Sequence, residues 1–271
     1  MPSTCRPARL PAMRSTTLTT QSHCAALLAA TLCLLCWPLG CGGGRDATAV
    51  RVGDHAITSG EVEHWISTLK ARGSNGHEPG PPAPVPPHYA ACIAYERAHP
   101  GPSLSSTPTI PKQPRAYCEF EYRRYKLKAL YLLISHRWVS EEAAELGIHP
   151  NKPELTRELS AYRKALDLTS LAAYKRYLGF IRADTADLLL SFETEQLVRA
   201  VEAKVTATAK TTGEREAALA RFGKDFKARW LARTDCRPEY VVPICRQYPP
   251  GKTPTPFVPP SVPLTDEPSS G

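Results

Sequence analysis

Residues 115–146 contain neither proline nor glycine, in a chain that carries 27 prolines and 16 glycines. Within them Tyr117, Tyr125, Leu130, Leu133, Ile134, Trp138 and Ala144 form a wide apolar stripe at helical spacing. The pattern predicts one long helix, about 48 Å at ~1.5 Å per residue. Gly147 stands where a left-handed cap would end it, with Pro150 and Pro153 beyond. A helix of that length holds its shape only when other helices cover its stripe. The chain is therefore expected to be mainly α.

Around this helix the sequence places smaller elements. Residues 49–58 alternate apolar and polar side chains about Gly53-Asp54, a β-hairpin pattern. Thr58 stands three before Glu61, the spacing of a capping box, and predicts a helix with Val62, Trp65, Ile66 and Leu69 on one face. A short helix is expected over Tyr89–Ala98, and others over about 153–166 and 170–178. Another runs from an N-cap at Asp184, with Asp187 behind it, to about Lys210. A further helix over 213–232 carries Leu219, Phe222, Phe226 and Trp230 at helical spacing.

The prolines cluster between these elements. Residues 73–87 hold Pro79, Pro81, Pro82, Pro84, Pro86 and Pro87, too dense for any helix, and read as an extended surface loop. A second Pro/Ser/Thr loop covers 99–114, and a Pro-rich tail occupying 249–271 is expected to be disordered. A single domain over 49–248 remains.

The N-terminus reads as an export signal over residues 1–40. Arg6, Arg9 and Arg14 precede the apolar run 25–39, with no acidic residue among them. That run is shorter than the roughly 20 apolar residues a membrane span needs. Translation starts at Met1 or at Met13. Leu39-Gly40-Cys41 resembles a bacterial lipobox, in which Cys41 is acylated, although Pro38 stands where a leucine is usual. A cleaved signal with no anchor is the alternative. The Gly-rich residues 41–48 would form a tether.

Without residues 1–40, 31 basic side chains face 26 acidic ones, a net +5 against +8 for the whole chain. The excess is spread over mixed-charge stretches such as Glu121, Arg123, Arg124, Lys126 and Lys128. It suits an anionic membrane surface at least as well as nucleic acid, and no nucleic-acid partner is expected. Of nine cysteines, Cys92, Cys118, Cys236 and Cys245 lie in the body. An even number behind an export signal reads as two disulfides formed in an oxidising compartment.

The order of elements resembles a known family. It comprises the Val50-x-Val52-Gly53-Asp54-x-x-Ile57-Thr58 hairpin, Glu61 and Trp65 on the next helix, and Leu132-Leu133-Ile134 with Trp138. Glu142-Ala143, Leu146-Gly147-Ile148 and the run from Asp184 to Leu189 follow. Together they look like the N-terminal domain of SurA/PrsA-type parvulin foldases, in the lipoprotein form found in actinobacteria. The resemblance covers most of residues 49–248. It extends to the ending, where Phe226–Trp230 runs into Thr234-x-Cys236 and Tyr240-Val241-Val242-x-x-Cys245.

The resemblance implies a helical bundle with a small N-terminal hairpin and a closing C-terminal helix. In that family an isomerase domain sits before the closing helix. Here residues 204–212 join the two helices directly, and nothing resembles the parvulin core. What it then implies is a client-holding module without catalysis, partnered by unfolded exported polypeptides and by the membrane through its anchor. The expected location is the outer face of the cytoplasmic membrane, or the medium if unanchored. No cofactor is implied. Trp65, Trp138, Tyr174, Tyr177, Phe192 and Trp230 are candidates either to line a client surface or to build the core. The rivals are an adaptor lipoprotein with one specific partner, and a residual prolyl isomerase.

Disulfides are expected as Cys92–Cys118, stapling the short helix to the long one, and Cys236–Cys245, clamping the closing loop. The first encloses a loop whose closure is worth roughly 3–4 kcal/mol in the chain-entropy picture. The one C-x-x-C, Cys33 to Cys36, lies in the signal. No histidine stands at ligand spacing from either pair, so no metal is expected. Glu61-x-x-His64 has the spacing of a di-iron element but no second copy, and is read as a solvated helix face.

Overall fold

The computed structural model describes residues 47–72, 79–99 and 113–251. The expected hairpin forms as β1 (Thr48–Val52) and β2 (His55–Thr58), turning at Gly53 with φ +54. Gly53 also ties down the far end of the chain, its N–H donating to the Arg233 carbonyl at 2.9 Å. A third strand, β3 (Thr234–Cys236), pairs antiparallel with the other edge of β1, giving the order β2-β1-β3. Val50 sits between Ile57 and Cys236, and Val52 between His55 and Thr234. The closing segment thus completes a sheet begun almost two hundred residues earlier.

Helix α1 (Ser59–Ala71) starts on the predicted box: the Thr58 N–H donates to Glu61 Oε2 at 2.7 Å, and the Glu61 N–H to Thr58 Oγ1 at 3.1 Å. Val62, Trp65 and Ile66 are buried against the hairpin and the long helix. The short α2 (Ala90–Ala98) is stapled by Cys92–Cys118, with Cα atoms 6.1 Å apart, to α3 (Pro114–Glu145). Pro114, expected in a loop, instead supplies the first turn of α3, where the missing N–H costs nothing. Gly147 at φ +69 ends α3, and the Ile148 N–H donates to the Ala143 carbonyl at 2.7 Å.

Then come α4 (Lys152–Ala165), α5 (Leu171–Ile181), α6 (Thr185–Val205) and α7 (Thr212–Ala232). Among the described residues there are seven helices and three short strands. Helix α5 runs three residues past the expected end, because Ile181 belongs to the core and only Arg182, at φ 50, breaks the turn. Helix α6 stops short of Lys210. Thr206 turns its hydroxyl back onto the Glu202 carbonyl, and Thr211 caps α7 in a reciprocal box with Glu214.

The segment 79–87, read from sequence as a surface loop, is a packed strap. Gly80 presses on α1 so closely that a Cβ would lie 2.5 Å from the Ala71 Cα. Its N–H donates to the Phe180 carbonyl, and Arg182 donates to the carbonyls of Gly80 and Pro81 at 2.9 and 2.8 Å. Pro84 is fully buried. Prolines lack the donors a strand needs but keep the acceptors, and the half-buried Arg182 fork satisfies two of the segment's carbonyls. The expected tether is shortened too, since Thr48 opens β1. The export signal over 1–40, Cys41, residues 73–78 of the first loop, residues 100–112 of the second and the tail beyond 251 lie outside the described residues.

Three apolar clusters result. The largest joins the sheet, α1, α3 and Trp230. A second lies between α4, α5 and α6 around Tyr174 and Phe192. The third, Ala143, Leu197 and Val201 with Val139 and Phe222 beside them, lies where α3, α6 and α7 meet.

Candidate functional site

Of the six nominated aromatics, Trp65, Trp138, Trp230, Tyr174 and Phe192 are buried in the first two clusters. Tyr177 is half-buried, its hydroxyl bonded to that of Tyr162. Of the two roles the sequence left open, these five side chains take the core one, because their rings face other helices and not solvent.

Their anchoring nevertheless creates an open site. Trp230, 2% exposed, fixes the end of α7: its indole N–H donates to Glu142 Oε2 at 2.7 Å. Arg229 adds a bond to Oε1 of the same carboxylate at 2.7 Å. Thr234 completes the anchor, accepting from the Trp138 indole and donating to the Trp230 carbonyl, both at 2.7 Å. From there a chain of rings climbs outward, with Trp138 edge-on to Phe226 at 6.0 Å and Phe226 against Phe222 at 5.7 Å. Beyond Phe222, towards its start, α7 is largely exposed.

Between this helix and its neighbours lies a furrow of about 230 Å³. Val139 and Glu142 of α3, Val198, Val201 and Glu202 of α6, and Leu219, Phe222, Gly223 and Phe226 of α7 line it. Val139, Val201 and Phe222 also belong to the third cluster. A dry apolar cavity of about 150 Å³ takes a benzene ring, so this furrow has room for one aromatic or large aliphatic side chain.

Gly223 sits in the middle of α7, and nothing lies within 4 Å of where its Cβ would be. A mid-helix glycine costs about 1 kcal/mol relative to alanine. Close packing is the usual compensation, and here there is none. Gly223 lines the furrow, and open space lies where its side chain would begin.

Comparison with protein-family models, with curated proteins and with solved structures finds no match.

The remaining chemistry is structural. Glu61 is used by the capping box. His64, read as part of a solvated face, instead places Nε2 2.9 Å from both carboxylate oxygens of Asp187 at the start of α6. That hydrogen bond raises the His64 pKa above its usual 6.5, burial opposing it. His136 on α3 shares a 2.8 Å hydrogen bond with the Thr194 hydroxyl of α6, and burial lowers its pKa to about 4. Among the described residues no three His, Cys, Asp or Glu side chains converge to hold a metal, and no helix is long and apolar enough to cross a membrane. Cys236–Cys245 closes as a disulfide with Cα atoms 5.8 Å apart.

Sequence reasoning identified the α7 stripe but not the furrow. The signal it passed over is Gly223, a glycine with no cap or turn to serve.

Proposed function

We propose that the chain is a non-catalytic holder of unfolded exported polypeptides, working at the outer face of the cytoplasmic membrane through a lipid on Cys41. The observation that carries the reading is the open furrow between α3, α6 and α7, with Gly223 in its lining. The SurA/PrsA-like order of elements and the direct α6–α7 connection support it. Burying one leucine or phenylalanine is worth about 1.5–3 kcal/mol, and association costs offset part of that. Binding is then weak, reversible and tolerant of sequence, as a holder of many clients requires. No covalent step is assigned to any residue.

Aggregation of unrelated unfolded proteins tests this, with the wild type compared to Gly223→Leu, whose side chain fills the furrow. The wild type is expected to suppress aggregation at near-stoichiometric ratios, and the variant to lose most of that protection with an undiminished Tm. Equal protection by both overturns the furrow as the holding site. No protection by either turns the assignment towards an adaptor with a single partner. Acceleration of proline-limited refolding would contradict the non-catalytic reading. Intact mass of the membrane-extracted protein reads the anchor.

A further inference from the structure

We propose that the furrow selects client segments in which a large apolar side chain is followed closely by a lysine or arginine, the cation being taken by Glu202. This rests on the furrow being the client site.

Two ionisable side chains line the furrow, and both are acidic. Glu142 is committed: it is buried, and its carboxylate is taken by Arg229 and by the Trp230 indole. Glu202 is different. It is exposed at the furrow wall, and its backbone carbonyl accepts from the N–H and the hydroxyl of Thr206. Among the described residues its carboxylate has no hydrogen-bond or ion-pair partner.

Three cations of α6 and α7 are used elsewhere. Arg199, one turn earlier on α6, pairs with Glu158 at 3.0 Å and with Glu195 at 3.7 Å. Lys204 turns away and donates to the Leu146 carbonyl at 2.7 Å, capping the end of α3. Arg229 belongs to Glu142. An apolar trough with one unanswered carboxylate on its wall is complementary to an apolar side chain with a neighbouring cation, and repels one with a neighbouring anion. The group is exposed, so the selection is modest. An exposed ion pair changes affinity about 2- to 5-fold and is screened by salt.

The test uses three dye-labelled peptides alike but for one residue beside a central phenylalanine: lysine, glutamine or glutamate. Their Kd values for the full chain are read by anisotropy at low and at high salt. The expected order is lysine tightest and glutamate weakest, about 2- to 5-fold per step at low salt and collapsing at high salt. Glu202→Gln should merge the three values. Equal affinity for all three in the wild type, with binding abolished by Gly223→Leu, overturns the charge selection but leaves the furrow as the holding site. A lysine preference that survives in Glu202→Gln places the cation elsewhere and also overturns it. If no peptide binds, the holding function falls as well.

Discussion

The indole N–H of Trp230 donates to Glu142 Oε2 at 2.7 Å, and this contact decides where α7 lies against α3. The carboxylate is 3% exposed and also accepts from Arg229, whose side chain stays partly in water. Removing the carboxylate leaves an indole donor buried without a partner and a guanidinium without its counter-charge. Glu142→Ala is expected to cost about 3 kcal/mol in urea unfolding. It should also lower client affinity, because the wall carrying Phe222 and Phe226 loses its anchor. A loss under about 1 kcal/mol would show that apolar packing alone positions α7.

A second buried carboxylate behaves differently. Glu121 accepts from Lys70 at 2.8 Å and, in a two-pronged contact, from Arg124 Nε and Nη2 at 2.8 Å each. Burial alone would raise its pKa, but those bonds outweigh burial and lower it. Lys70 is held charged by the same contact against its own desolvation. Glu121→Gln strands Lys70, itself 6% exposed, at an expected cost of about 3–5 kcal/mol. Lys70→Met leaves Glu121 paired with Arg124 and should cost less than about 1.5 kcal/mol. Chemical denaturation of both variants reads this asymmetry. Equal losses would contradict it.

What was legible in the sequence was whatever depends on neighbours along the chain. The Thr58–Glu61 box, the Asp184 N-cap, the Gly147 cap and the uninterrupted stripe of α3 are local, and the structure follows them. Strand β3 is three residues, Thr234 to Cys236, with no room for an alternating pattern. It becomes a strand only because β1 offers a free edge and the Cys236–Cys245 disulfide holds the segment beside it. The strap at 79–87 was hidden for a related reason. Its prolines say that it is not a helix, while its burial comes from Arg182, about a hundred residues away. The furrow is a gap between three helices, and only Gly223 hinted at it.

Stability against pH should carry opposite contributions from two histidines. The folded pKa of His64 lies above 6.5, so its bond to Asp187 stabilises fully below 6.5 and fades as pH rises through the folded value. For His136 the folded pKa is about 4, below 6.5. Between those values the unfolded chain binds a proton that the native state does not, so His136 destabilises as pH falls through that window. His64→Gln should therefore lose more stability at pH 5.5 than at pH 8. His136→Gln should flatten the acid side of the curve. Tm measured from pH 4.5 to 8.5 reads both, and parallel curves for wild type and variants would remove the assignment.

The last prediction separates the use of Gly223 from its cost. Alanine there meets no heavy atom within 4 Å and regains the helix propensity the glycine forgoes. Gly223→Ala is expected to stabilise by about 1 kcal/mol, a rise in Tm of roughly 2–4 °C for a domain of this size. If the glycine exists to keep the furrow open, the more stable variant holds clients less well, and Gly223→Leu holds them least. A graded loss of client affinity from glycine to alanine to leucine, with Tm moving upward or not at all, is the signature of a residue kept for space. If Gly223→Ala lowers Tm, the helix needs the glycine for its own packing, and Gly223 no longer argues for an occupant of the furrow.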